Sequence, residues 1–437
     1  MLRLRDQPHQ PPAIRPPHRL SPILITELPH PSQLKVLHAL YSAQSPSDSL
    51  PASFPFIEWS FTKFKPNRLK RTPPPALSLS PARTIQHKLT MDAIFAQAMK
   101  ETAALRKISV PWKADEPHPQ SYYTFDKTTL SWTPKVPSSS SAGVDAGVGR
   151  SDNATINNIA LFTWNIDFML PFAEARMKPA LVHLNELTSS IPASTAVVIF
   201  LQECTSSDLS TIANTSWIQD RFHITDLDHS AWATGHYGTT TLIDARLSIS
   251  SAFRVHYAAT RMDRDAFFVD VCISGKKIRL CNTHLESMAL DPPFRIPQMK
   301  LIAGYMHDTS LTAAITAGDF NAIQPFDRTL HVDNDNNLKD AFLELGGKED
   351  TDEAYTWGQQ AATALRERFG CSRMDKVYFC GWVKVLRFER FGGDILVDGE
   401  AEAKTILGLG FEKPWVTDHL GVRAEFEVSD RVERGQL

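Results

Sequence analysis

The sequence predicts an α/β body built on mixed rather than purely parallel β-sheets. Three observations carry that prediction. From residue 159 onward, short β-rich apolar runs alternate with helix-like stretches. Several of those runs follow one another with no crossover helix between them, which a purely parallel sheet does not permit. The composition, 42% hydrophobic and 22% charged over 437 residues, is that of an ordinary globular chain able to bury a sizeable core.

Residues 1–90 stand apart. They hold 16 of the 29 prolines and show no sustained apolar periodicity, so a disordered, proline-rich extension is expected. They carry 12 Lys/Arg against 4 Asp/Glu, which leaves the rest of the chain at a net charge of −11 within a total of −3. Such a basic flank has three readings: an organelle-targeting (mitochondrial) segment, a nucleic-acid-contacting tail, or sequence upstream of the true start. The amphipathic run beginning at Met91 favours the last.

Residues 91–155 are expected to form an N-terminal helix over 92–106, an aromatic arm containing Trp112, Tyr122, Tyr123 and Trp132, and a flexible Ser/Gly linker over 137–149. The compact body is expected over 156–430. Its strands are predicted at 159–164, 196–201, 239–243, 267–273, 278–283, 313–316, 374–379 and 421–428, and its helices at 171–187, 295–307 and 338–345. No run approaches the roughly 18 apolar residues of a membrane span, and the N-terminus lacks a secretory apolar core. The five dispersed cysteines show no metal-ligand spacing and no disulfide framework. A soluble, intracellular protein without a membrane partner is expected.

Chemistry is signalled by where polar residues fall: repeatedly at the C-terminal end of an apolar strand, where a scaffold holds reactive groups rigidly. Asn165 closes Leu161-Phe-Thr-Trp-Asn-Ile-Asp167, although alone it reads as a turn residue. Glu203 closes Val197-Val-Ile-Phe-Leu-Gln-Glu203, and a carboxylate there must be paired or bind a cation. His284 and Ser287 follow another strand, and Asp319 and Asn321 lie two apart after Gly318, on one side of an extended segment. Asp418 and His419 precede the last strand, and Asp375 heads an apolar one, where an acid can orient an imidazole. Glu203, Asp319 and Asp418 suit a hard cation, Mg²⁺ or Mn²⁺, while Asn165, Asn321, His284 and His419 add donors for phosphate oxygens.

These six segments, in this order, resemble the endonuclease/exonuclease/phosphatase (DNase I-like) superfamily over about residues 156–430. The resemblance implies a four-layer sandwich of two packed mixed β-sheets flanked by helices, and Mg²⁺-dependent hydrolysis of phosphate esters. Thr163-Trp-Asn-Ile-Asp167, Thr283-His-Leu-Glu-Ser287 and Tyr355-Thr-Trp357 are most similar to its 5′-tyrosyl-DNA phosphodiesterase branch, implying removal of a topoisomerase-derived tyrosine from DNA 5′ ends. By that resemblance Asn165 and Glu203, with Asp418, place the metal. Asp319 with Asn321 orients water, and His419, buttressed by Asp375, stabilises the pentacoordinate phosphorus. His284 and Ser287 hold the scissile phosphate, Arg264 contacts phosphate, and Trp357 and Tyr237 line the groove. The pattern departs at Ala322-Ile-Gln324 and at Met288-Ala289, where the branch carries arginines. A monomer acting in the nucleus, with the cytoplasm as second compartment, is the matching expectation. An RNA or DNA nuclease, a small-molecule phosphatase, and an inactive binding module are the alternatives.

Overall fold

The computed structural model describes residues 90–137, 155–333 and 335–429. The expectations for residues 1–89 and for all but the first residue of the 137–149 linker lie outside them.

In chain order the elements are α1 (Met91–Leu105), β1 (Pro117–Pro119), β2 (Tyr122–Asp126), β3 (Ser131–Lys135), β4 (Asn158–Asn165) and α2 (Ala173–Ser189). Next come β5 (Thr195–Thr205), α3 (Ser206–Ala213), α4 (Ser216–Arg221), β6 (Phe222–Ile224), β7 (Tyr237–Asp244), β8 (Ser248–His256), β9 (Asp265–Ile273) and β10 (Lys276–His284). The chain continues through α5 (Arg295–Met306), β11 (Ala313–Asp319), β12 (Lys339–Asp340), α6 (Ala341–Glu344) and α7 (Thr363–Phe369). It finishes with β13 (Asp375–Gly381), β14 (Val383–Phe391), α8 (Glu400–Gly408) and β15 (Gly421–Val428).

The strands form a seven-stranded sheet, β1-β8-β9-β10-β11-β13-β12, and an eight-stranded sheet, β14-β15-β4-β5-β7-β6-β2-β3. Among the described residues only β4/β5 and β10/β11 pair in parallel. Strand alternation explains why these segments are apolar without a break: both faces of each are covered. In β4, Ile159 and Leu161 join a core shared with Leu280 and Ile315 of the other sheet, whereas Ala160, Phe162 and Trp164 pack against Met177, Leu181 and Leu184 of α2. Ala314 and Cys281 likewise face Met299 and Ile302 of α5. The result is four layers, helix, sheet, sheet, helix, as expected.

Two expectations are corrected. The compact body was expected from residue 156, but β1 adds an edge strand to one sheet and β2–β3 complete the other. The periodicity at 338–345 yields only the two residues of β12 and the four of α6, because the Asp340 side chain caps the main chain at Phe342 and Leu343 and starts a helix that stops at Leu345.

The two parallel pairs set the location of the chemistry. The C-terminal ends of β4, β5, β10 and β11 lie at one end of the sandwich, and antiparallel β13 and β15 begin there: Asp375 is opposite Asp319, and Val422 is opposite Thr163. Gly318 is required at this end. Its φ is +149°, and a Cβ there would meet the Thr283 carbonyl oxygen at 1.8 Å. Gly318→Ala must therefore prise β10 from β11 beside His284 and Asp319. A loss on the order of 3 kcal/mol in unfolding free energy is expected by chemical denaturation, and a change under about 0.5 kcal/mol would contradict the packing described.

Candidate active site

A polar bridge under the site ties the two sheets together: Gln202 Nε2 donates to Asn282 Oδ1 at 2.8 Å and to Thr163 Oγ1 at 2.9 Å. One residue on, a register break between Leu201 and Cys204 and a φ of +58° at Glu203 form a bulge that takes this carboxylate out of the strand's alternation. Its Oε2 accepts from the Phe168 main-chain N–H at 3.0 Å.

Asp319 is the hub. Its Oδ2 accepts from Asn165 Nδ2 at 3.0 Å and lies 3.3 Å from His284 Nε2 and 3.8 Å from His419 Nε2. Its Oδ1 accepts from the Asn321 main-chain N–H at 2.8 Å, and Asn321 Nδ2 in turn donates to the Leu285 carbonyl. Burial alone would raise the Asp319 pKa, but the His284 and His419 imidazoles outweigh it and hold the carboxyl far below the usual range. Asp319 is therefore a carboxylate at neutral pH.

His419 and Asp375 form a buried pair, Nδ1 to Oδ2 at 2.8 Å. Burial pulls the imidazole down, yet Asp375, Asp418 and Asp319 together hold it well above its ordinary value. Burial drives the Asp375 carboxyl up to about 6 against the pull of His419. The ring's other nitrogen faces Asp319 and, at 3.9 Å, Asp418. Trp357 Nε1 donates to Asp418 Oδ2 at 2.7 Å, and Trp164 Nε1 to the His419 carbonyl at 3.0 Å, so indoles brace both members of the Asp418-His419 dipeptide.

On the opposite side Arg264 Nη1 lies 2.6 Å from His284 Nδ1. A guanidinium only donates, so Nδ1 accepts and the neutral ring carries its proton on Nε2, toward Asp319 and, at 3.8 Å, Glu203. Burial and then Arg264 lower the His284 pKa, which keeps this form. Tyr237 and Arg264, expected to line the groove and contact phosphate, are only 4% and 6% exposed and stand behind His284, the guanidinium lying over the Tyr237 ring at 5.3 Å. Ser287 Oγ donates to Met262 Sδ at 2.9 Å and makes no contact with Asp319. The structure thus gathers Asn165, Glu203, His284, Asp319, Asn321, Asp375, Asp418 and His419, with Trp357 at the rim.

Two residues escaped the sequence reading. Asp167 is buried, and burial, then Asp418 and Glu203, push its pKa well above normal. Its signal was present, since Asn165 and Asp167 repeat the two-residue spacing of Asp319 and Asn321. Arg176 of α2 is fully buried and donates to the carbonyls of Ile166, Asp167, Leu170, Pro171 and Val416, holding together the loops that carry Asp167 and Asp418. An arginine on an amphipathic helix reads as solvent-facing, so no local pattern announces it.

Residues 162–419, more than half of the chain, match the sequence profile of the Endonuclease/Exonuclease/phosphatase family. The chain belongs to that family. Among curated members, tyrosyl-DNA phosphodiesterase 2 of Homo sapiens is 25% identical over 295 residues, 66% of this chain and 73% of the human protein. The Bos taurus protein of the same name is 25% identical over 291 residues, again 66% and 73%. A crystal structure of D. rerio TDP2 complexed with single strand DNA product is 17% identical, covering 62% of this chain and 99% of that one with a TM-score of 0.47. Within the described residues, no helix is long and apolar enough to cross a membrane.

Proposed function

We propose that this member of the family is a Mg²⁺-dependent phosphodiesterase that removes a tyrosyl group from the 5′ phosphate of DNA ends. The observation that carries the reading is the placement of ionised Asp319 between two imidazoles, one of them held by Asp375. A carboxylate facing a charged donor across a few ångströms is the arrangement in-line hydrolysis needs: one group accepts a proton from water while the other donates to the phosphoryl oxygens. Asp319, with Asn321 beside it, takes the water proton as the oxygen attacks phosphorus. The P–O bond to the tyrosine breaks, and the phenol, with a pKa of about 10, leaves readily as phenolate. His419 and the Nε2–H of His284 donate to the developing charge.

The donor set fits a hard cation. Asp167 and Asp418 are pushed upward by burial, with added repulsion from Glu203 on each and from Asp418 on Asp167. A positive ion relieves that repulsion. Among the described residues no three His, Cys, Asp or Glu side chains converge on a full cage. Mg²⁺ is ordinarily held by one or two carboxylates plus water and substrate phosphate, and Mn²⁺ accepts similar ligands. Glu203 and Asp418, supported by Asn165 and Asp167, are the residues that would hold it. Bound there, the ion would neutralise phosphate charge as a Lewis acid.

The substrate half of the proposal rests on the relatives' names and on the motif resemblance, and the nucleus follows from that substrate. A monomer is proposed with the same reading. One observation favours a second reading, a smaller phosphoester substrate. The body is acidic, and Ile323, two residues beyond Asn321, is an apolar side chain 39% exposed. A panel of 5′-tyrosyl oligonucleotide, plain single-stranded DNA, single-stranded RNA and inositol phosphate separates the two. The proposal expects the tyrosyl end to be cleaved at least tenfold more efficiently than the others, and preference for any other member would replace it.

A further inference from the structure

Helix α1 lies outside the family-matched residues 162–419, yet it is packed across the site-bearing end of the sandwich. Its N-terminal half inserts Ile94 into a cluster with Leu170, Phe411 and Trp415, beside the Asp167 loop and the Asp418 segment. Beyond Ala98 two sets of polar contacts take over. In the first, Thr102 Oγ1 is 3.0 Å from His236 Nδ1 and Glu101 is 3.7 Å from His236 Nε2. His236 meets Phe168 edge-on at 5.6 Å, Phe168 stacks on Tyr237 at 3.8 Å, and Tyr237 underlies Arg264. In the second, Arg106 donates to Asp263 Oδ1 at 2.7 Å, one residue before Arg264. Gly235 is the point of closest approach: with φ at +68°, a Cβ there would lie 2.2 Å from the Leu105 carbonyl oxygen.

We propose that α1, with Arg106 at its C-cap, is a working part of the active site, in which Thr102 and Arg106 are positioning residues whose two latches converge on Arg264 and so fix the ring of His284. The inference rests on the reading of the site as phosphodiester-cleaving, and it deepens that reading by naming what aligns its phosphate-facing imidazole. The Arg106 latch contributes modestly to global stability: the Arg106 side chain is 54% exposed, against 12% for Asp263, and a largely exposed ion pair is worth ~0–1 kcal/mol. A structural role and a positioning role therefore separate cleanly. If the contacts only secure the fold, their loss lowers the melting temperature slightly and leaves kinetics alone. If they position Arg264, kinetics change while the melting temperature hardly moves.

The test is Thr102→Ala combined with Arg106→Ala in the full chain, read three ways. Amide hydrogen exchange needs no activity: protection should fall at 232–238 and 262–266 and remain unchanged in β4 and β5. On a small aryl phosphodiester with Mg²⁺, kcat/KM should fall about tenfold, Arg106→Lys alone should recover most of what Arg106→Ala alone loses, and the melting temperature should shift by less than about 3 °C. Unchanged exchange at 232–238 and 262–266 overturns the proposal, as does unchanged kcat/KM in an active parent. Absence of turnover in the parent strikes instead at the phosphodiesterase reading, and exchange alone then decides whether the latches hold this wall.

Discussion

His419→Ala is expected to lower phosphodiester turnover by about 10²-fold or more, the scale of losing one preorganised transition-state donor. The imidazole is held by Asp375 at 2.8 Å, and the main chain that carries it by the Trp164 bond to its carbonyl. The substitution also leaves Asp375 buried without its partner, and breaking a buried pair costs about 3 kcal/mol. Thermal unfolding is therefore recorded beside the rate. Asp375→Asn keeps the imidazole but weakens its anchor, and its rate should fall between the parent and His419→Ala. A variant at position 419 that is folded and turns over within about threefold of the parent would remove His419 from the mechanism.

Asp319→Asn should cost as much, about 10²-fold or more, for a different reason. The change is nearly isosteric, and the hydrogen bond to the Asn321 main chain can persist, so the fold is expected to survive. What disappears is the negative charge that, on the proposed mechanism, accepts the water proton and that faces the charged ring of His419. KM should change far less than kcat, since the lost function belongs to the reacting water rather than to ground-state binding. An equal rise in KM with kcat intact would instead make Asp319 a binding group.

Much of this site was legible in the chain because strands buried on both faces leave few places for polar side chains. A carboxylate or imidazole closing such a run, as at Glu203, His284 and Asp319, stands out against it. The layers were legible for the same reason, since a run apolar at every position needs cover on both sides. What stayed hidden depended on long-range partners. Asp167 lies in a tight turn at φ +58°, where an aspartate needs no further explanation. Arg176 finds its five carbonyls only after the 416 segment arrives from the far end of the chain. Strands β8 and β14 carry charged and exposed residues amid apolar ones, so their periodicity is weak. The arm at 117–135 is only partly buried, and nothing local tells that its strands complete two different sheets. Burial of Tyr237 and Arg264 behind His284 was equally invisible, because spacing along the chain does not say which side of an imidazole an arginine approaches.

On the proposed reading these residues form a metal-assisted phosphodiester hydrolase. The most direct test is release of tyrosine from a 5′-tyrosyl oligonucleotide by the purified chain, with Mg²⁺ and after its removal by chelation, with His419→Ala as the control. Release is expected with Mg²⁺, with loss on chelation, recovery when Mg²⁺ is restored, and about 10²-fold slower release by the control. Release that is equally fast in chelator, or equally fast in the His419 variant, would contradict that reading.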